Sequence, residues 1–189
     1  MLDKILGLDT QLFIYLNGLG CETYDGLWLF ITKQFNWISF FVVLLYLIYK
    51  KIGVKQTLYL LLFIAVLITF TDQITNIFKN GFQRLRPCNA PEINGIIRIV
   101  KSSNSFSFFS GHAANSMAVT TFLYFVMKRH YKYFILLFLW PLIFAYSRIY
   151  LGLHYPLDIM CGFLFGAISG FLIYKLYQFA QRSYFPEQK

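Results

Sequence analysis

Residues 58–70 read LYLLLFIAVLITF, an apolar run without a single charge. A second such run lies upstream, WISFFVVLLYLIY at residues 37–49, closed by Lys50, Lys51 and Lys55. A helix needs about 20 residues to cross about 30 Å of hydrocarbon, and each run reaches that length when extended by a turn or two. Further apolar stretches follow at about 111–127, 133–150 and 155–177. The sequence therefore predicts an all-α, polytopic transmembrane helical bundle with five spans. Residues 1–34 carry Asp3, Lys4, Asp9, Glu22, Asp25 and Lys33, too many charges for a crossing. They are expected to form interfacial helices broken near Gly18 and Gly20, and would bring the spans to six only if they crossed as well. No repeat, linker or low-complexity tract divides the chain, so residues 1–189 are read as a single membrane-embedded domain.

Composition agrees with lipid as the solvent. Hydrophobic residues make up 58% of the chain and charged ones only 13%, about half the share of a soluble domain. Mean hydropathy is +0.56. The net charge of +9 does not point to nucleic acid, because the basic residues lie between apolar segments, where they act as topology signals and anion ligands. Cys21, Cys88 and Cys161 form neither a CxxC metal motif nor a disulfide framework, although Cys21 and Cys88 fall on one side of the membrane, where an oxidising medium would allow a bond between them. The N-terminus has no cleavable signal-peptide pattern.

Orientation follows from counting. With alternating spans, one face collects Lys50, Lys51, Lys55, Lys128, Arg129, Lys132, Lys175, Arg182 and Lys189 against Glu187 alone. Basic loops are retained inside, which makes that face cytoplasmic and the protein a multi-pass protein of the cell (inner) membrane. The opposite face, periplasmic or exterior, receives every polar cluster of interest.

Three such clusters stand out. KNGFQRLRP, residues 79–87, places Lys79 and Arg86 seven apart, on one face if the helix continues through them. SFSFFSGHAANS, residues 105–116, offers Ser110 as an N-cap, Gly111 for close backbone approach, and His112 in the first helical turn, where free amides and the helix dipole favour an anion. SRIYLGLHYPLD, residues 147–158, holds Arg148, His154 and Asp158, with Pro156 suited to a first turn. Asp158 can fix one ring nitrogen of His154 and leave the other as a nucleophile, while His112 can serve as an acid. Each cluster alone has a plain reading as basic flank, capped helix or interfacial pair. Their convergence on one end of the spans makes a kit for phosphoryl transfer, where positioning and charge neutralisation do most of the catalysis.

The same residues resemble the three-part signature of the type 2 phosphatidic acid phosphatase superfamily: K-x6-R-P at Lys79, Arg86 and Pro87, S-G-H at Ser110, Gly111 and His112, and S-R-x5-H-x3-D at Ser147, Arg148, His154 and Asp158. Phe109 departs from the proline usual before that serine, a difference that bears on loop shape. The resemblance implies a cofactor-free integral membrane lipid phosphatase. In it His154 forms a phosphohistidine, Asp158 sets its tautomer, and His112 protonates the leaving oxygen. Lys79, Arg86, Arg148 and the Ser110–Gly111 turn hold the phosphate. Undecaprenyl diphosphate is the favoured substrate, ahead of a lipid A phosphate, phosphatidylglycerol phosphate or phosphatidic acid.

Rival readings use the same residues differently. A zinc site from His112, His154 and Asp158 is disfavoured by three nearby fixed cations. A lipid-phosphate binder or transporter would share the cations without needing the His154–Asp158 pair, and a lipid phosphotransferase would differ only in its acceptor. Asp72 is read as a partner for a group near the site or as a helix–helix hydrogen bond. Gly162, Gly166 and Gly170 are read as a close-packing face, and Arg98 and Lys101 as headgroup contacts or interfacial anchors.

Overall fold

The structure, a computed structural model, describes residues 2–184, and among them every regular element is helical. Lys189 and Glu187, used in the charge count, lie outside the described residues. Six α-helices carry the architecture: α1 (Leu2–Gly18), α2 (Asp25–Ile31), α3 (Ile38–Phe82), α4 (Gly111–Met127), α5 (Leu139–Tyr150) and α6 (Pro156–Tyr184). Two helical stretches, Gln34–Asn89 and Pro156–Tyr184, are long and apolar enough to cross a bilayer, and Phe134–Tyr150 is a shorter apolar one.

The lysines at positions 50, 51 and 55 do not sit in a loop, where the sequence pattern puts them. Helix α3 runs through them and is interrupted only at Gly53, whose φ of 75° and ψ of 174° suit a residue without a Cβ. The chain turns back at that point. Val42 and Leu61 line one groove, yet a straight helix would hold them about 28 Å apart. One glycine thus replaces the expected connection, leaving an arm before it and an arm after it.

The core of the bundle is the α4–α6 pair. On α6, a Cβ added at Gly162 would stand 2.7 Å from the carbonyl of Ser110, and at Gly166 and Gly170 it would collide with the carbonyls of Ala114 and Ala118. The four-residue spacing on both helices sets two small-residue ridges against each other, so the backbones meet without intervening side chains. Gly166→Ala should therefore lower stability by about 1–3 kcal/mol, read as a lower thermal midpoint in detergent. Gly26→Ala, where nothing lies within 4 Å, is the control that should not lower it.

The N-terminal helix has an inner stripe of Asp9, Phe13 and Asn17 at four-residue spacing. Asn17 is fully buried; its Nδ2 donates to the carbonyls of Arg98, Ile149 and Tyr150, and its Oδ1 accepts from the Arg98 amide. This ties α1 to the C-terminal end of α5 and to the long loop that precedes α4. Arg98 itself pairs with Asp25 at 3.0 Å and lies over the Tyr150 ring. Cys21 is exposed, Cys88 buried, and neither is in a disulfide.

Candidate functional site

Four helix ends converge: the C-terminal ends of α3 and α5 and the N-terminal ends of α4 and α6. The turn between α5 and α6, residues 151–155, passes through their midst and is almost wholly buried. Its His154 is 1% exposed. Burial, opposed by the hydrogen bond to Asp158 and reinforced by the nearby Arg86 cation, pushes the His154 pKa down to about 3. The imidazole is therefore neutral, and its tautomer can be deduced. Arg86 Nη1 lies 2.9 Å from His154 Nε2. A guanidinium can only donate, so Nε2 must accept and the proton belongs on Nδ1. Nδ1 faces Asp158 Oδ2 at 3.4 Å. The ring is thus held at both nitrogens, Nε2 accepting from Arg86 and Nδ1–H turned toward Asp158.

Asp158, at the third position of α6, is fully buried and its carboxylate is fully engaged. Oδ1 takes Arg84 Nη1 at 2.7 Å. Oδ2 accepts from the Tyr155 amide at 3.0 Å and from the Ser107 hydroxyl, which also stands 3.5 Å from His154 Nδ1. These bonds hold the carboxylate as an anion in surroundings that would otherwise neutralise it.

The expected cations gather here, one of them by an unexpected route. Lys79 and Arg86 do not share a helical face, because α3 ends at Phe82. Gln83 adopts a left-handed cap, φ 50° and ψ 30°, and Arg86, restricted by the following Pro87, is extended. Arg86 reaches the site from the loop, fixed by the carbonyls of Ser105 and Leu153. Lys79 Nζ lies 3.8 Å from where a Gly111 Cβ would be, and interacts electrostatically with Arg86 and Arg148. Arg148 donates from Nη1 to Thr32 at 2.6 Å, while its buried Nε has no hydrogen-bond partner. Three cations drawn this close, one with an unsatisfied buried donor, call for an anion between them.

Ser110 caps α4 by accepting from the Ala113 amide at 3.4 Å, and its own amide donates to the Asp158 carbonyl. The next two amides, of Gly111 and His112, have no intrahelical acceptor and remain the donors of that turn. His112 packs on Phe144, ring centroids 5.5 Å apart, within electrostatic reach of Arg148, His154, Lys79 and Arg86. Asp72 accepts from Asn115 at 2.6 Å, which makes it a bond between α3 and α4. His112, Asp72, Asn115, Gln34 and Ser116 line a groove of about 430 Å³ whose other lining residues, including Phe41, Leu44 and Val119, are apolar. Sequence reasoning passes over Ser107 and Arg84 although both stand inside the quoted clusters, since no spacing rule connects them to Asp158. Among the described residues no group of three or more His, Cys, Asp or Glu side chains is placed to hold a metal.

Residues 57–182 match the PAP2 superfamily. A lipid A 4'-phosphatase of Bacteroides thetaiotaomicron is 35% identical over 92% of this chain and 79% of its own length. An undecaprenyl-diphosphatase of Sulfolobus acidocaldarius is 30% identical over 90% of this chain and 79% of its own. Among solved structures, a transmembrane PAP2-type phosphatidylglycerolphosphate phosphatase of Bacillus subtilis has the same fold, with a TM-score of 0.71 at 19% identity over 95% of this chain and 89% of that one.

Proposed function

Given that this chain belongs to the PAP2 superfamily and is a membrane lipid phosphatase, we propose that it removes phosphate from a lipid A headgroup through a phosphohistidine on His154. The observation that carries the mechanism is the Nε2 lone pair of a neutral, buried imidazole facing Arg86, with Asp158 behind the other nitrogen. Nε2 attacks phosphorus, the bond to the leaving oxygen breaks, and His112 supplies the proton that oxygen needs. His112, now a base, takes a proton from water as the water attacks the phosphohistidine, and inorganic phosphate leaves. Lys79, Arg86, Arg148 and the amides of Gly111 and His112 offset charge on the equatorial oxygens.

Two features favour a lipid A phosphate over undecaprenyl diphosphate, the substrate that the sequence alone puts first. The lipid A 4'-phosphatase is the more similar of the two relatives described above. Gln34, Asp72 and Asn115, which line the same groove as His112, offer donors and acceptors for sugar hydroxyls, which a polyprenyl diphosphate lacks. The apolar remainder of the groove suits a hydrocarbon chain. In the membrane the two arms of α3, then α4, the Phe134–Tyr150 stretch and α6, make five crossings of one domain. The basic residues from Lys50 to Arg182 at the far ends argue for a site on the periplasmic or exterior side.

Phosphate release by purified protein tests this reading across lipid A, undecaprenyl diphosphate, phosphatidylglycerol phosphate and phosphatidic acid, with EDTA present throughout. Release should be fastest from lipid A and indifferent to the chelator. Faster release from another lipid would reassign the substrate, and activity lost to EDTA and restored by zinc would overturn the phosphohistidine.

A further inference from the structure

We propose that Asp9, on the N-terminal helix and outside the region that matches the superfamily, is a positioning residue for the His154–Asp158 pair and acts through Arg84. The inference rests on the reading of His154 as nucleophile. Arg84 spreads its two terminal nitrogens over two carboxylates: Nη1 on Asp158 Oδ1 and Nη2 on Asp9 Oδ2, both at 2.7 Å. The guanidinium is planar and rigid, so a carboxylate at each end fixes the direction from which Asp158 is held. The Tyr155 ring covers it, with the guanidinium carbon 3.9 Å from the ring centroid. The second oxygen of Asp9 accepts from the Leu157 amide at 2.8 Å, within the first turn of the helix that carries Asp158. Asp9 thus grips Asp158 twice, by its counterion and by its own helix start.

A purely structural anchor would not need a charge there. Asp9 is 7% exposed, and burying a carboxylate is costly unless it is paired; Asn17, two turns along the same stripe, docks α1 as a neutral amide. What the charge adds is a second carboxylate for the guanidinium fork. With Asp9 neutral, Arg84 is held from one side only, and Asp158 and the imidazole it orients lose a fixed direction.

The experiment compares Asp9→Asn, Arg84→Lys, Arg84→Met and Asp9→Asn/Arg84→Met, with His154→Ala as reference, by steady-state release from the best lipid of the panel. Asp9→Asn should lower kcat by about 10-fold to 10²-fold, as misplaced reacting groups do, with KM within about twofold of wild type. It should have no further effect once Arg84 is replaced by methionine. Arg84→Lys, which keeps the charge but not the fork, should lose kcat in the same way, and it decides the matter should Asp9→Asn fail to fold. Wild-type kcat in Asp9→Asn or Arg84→Lys would overturn the proposal, as would an Asp9→Asn effect undiminished in the Arg84→Met background, which would mark simple helix docking. Those failures leave His154→Ala inactive, whereas release by His154→Ala would sink the mechanism itself.

Discussion

His154→Gln is expected to lower phosphate release by about 10⁴-fold or more, the scale on which a covalent catalyst fails when its nucleophile is removed. Glutamine is chosen because its amide oxygen can still accept from Arg86, so the buried guanidinium is not stranded and the thermal midpoint should stay close to that of the parent. It has no nucleophilic ring nitrogen, and the phosphoryl group has nowhere to go. In the parent protein a brief exposure to labelled lipid should leave an acid-labile, base-stable phosphoryl group on the chain, as a phosphorus–nitrogen bond requires, and the variant should carry none. Burial and Arg86 hold the His154 pKa at about 3, so protonation of this ring begins only well below neutrality. The nucleophile accordingly stays in its reactive form through the mildly acidic range, and the labelling should persist there. Unimpaired release by the variant would mean that another group attacks phosphorus.

Much of this arrangement is legible in the sequence, because it depends on local pattern. The helix from Gly111 to Met127 has the limits its apolar run and the Ser110 cap dictate. The four-residue spacing of Gly162, Gly166 and Gly170 foretells a close backbone contact, and Pro156 foretells the start of the helix that holds Asp158. What stays hidden depends on partners distant in the chain or on a single dihedral angle. Nothing near Gly53 says that a helix will continue up to it and reverse on one residue. Helical spacing extended past Phe82 puts Arg86 on the Lys79 face, but the Gln83 cap and Pro87 stop the helix first. Asp9 carries no local signal of its role, since its partners stand 75 and 148 positions away. Thr32, the hydroxyl that fixes Arg148, is hidden for the same reason.

Loss of His112 should be read through the leaving group. His112→Gln is expected to slow release from the lipid substrate by about 10²-fold to 10⁴-fold, the range general acid catalysis contributes. The sugar alkoxide that leaves a lipid A phosphate needs a proton in the transition state; p-nitrophenolate does not. With p-nitrophenyl phosphate the first step should therefore survive the substitution nearly intact. The second step still lacks its base, because the remaining imidazole of the pocket, His154, carries the phosphoryl group and cannot take the proton of the attacking water. The replacement side chain is long enough to keep the packing against Phe144 and to close the end of the groove, so binding should change little. The combined signature is a burst of p-nitrophenol equal to the enzyme present, followed by slow turnover and a phosphoenzyme that persists on the chain. Equal losses on both substrates with no burst would show that His112 binds phosphate alongside Lys79, Arg86 and Arg148, and that the proton for the leaving oxygen comes from elsewhere.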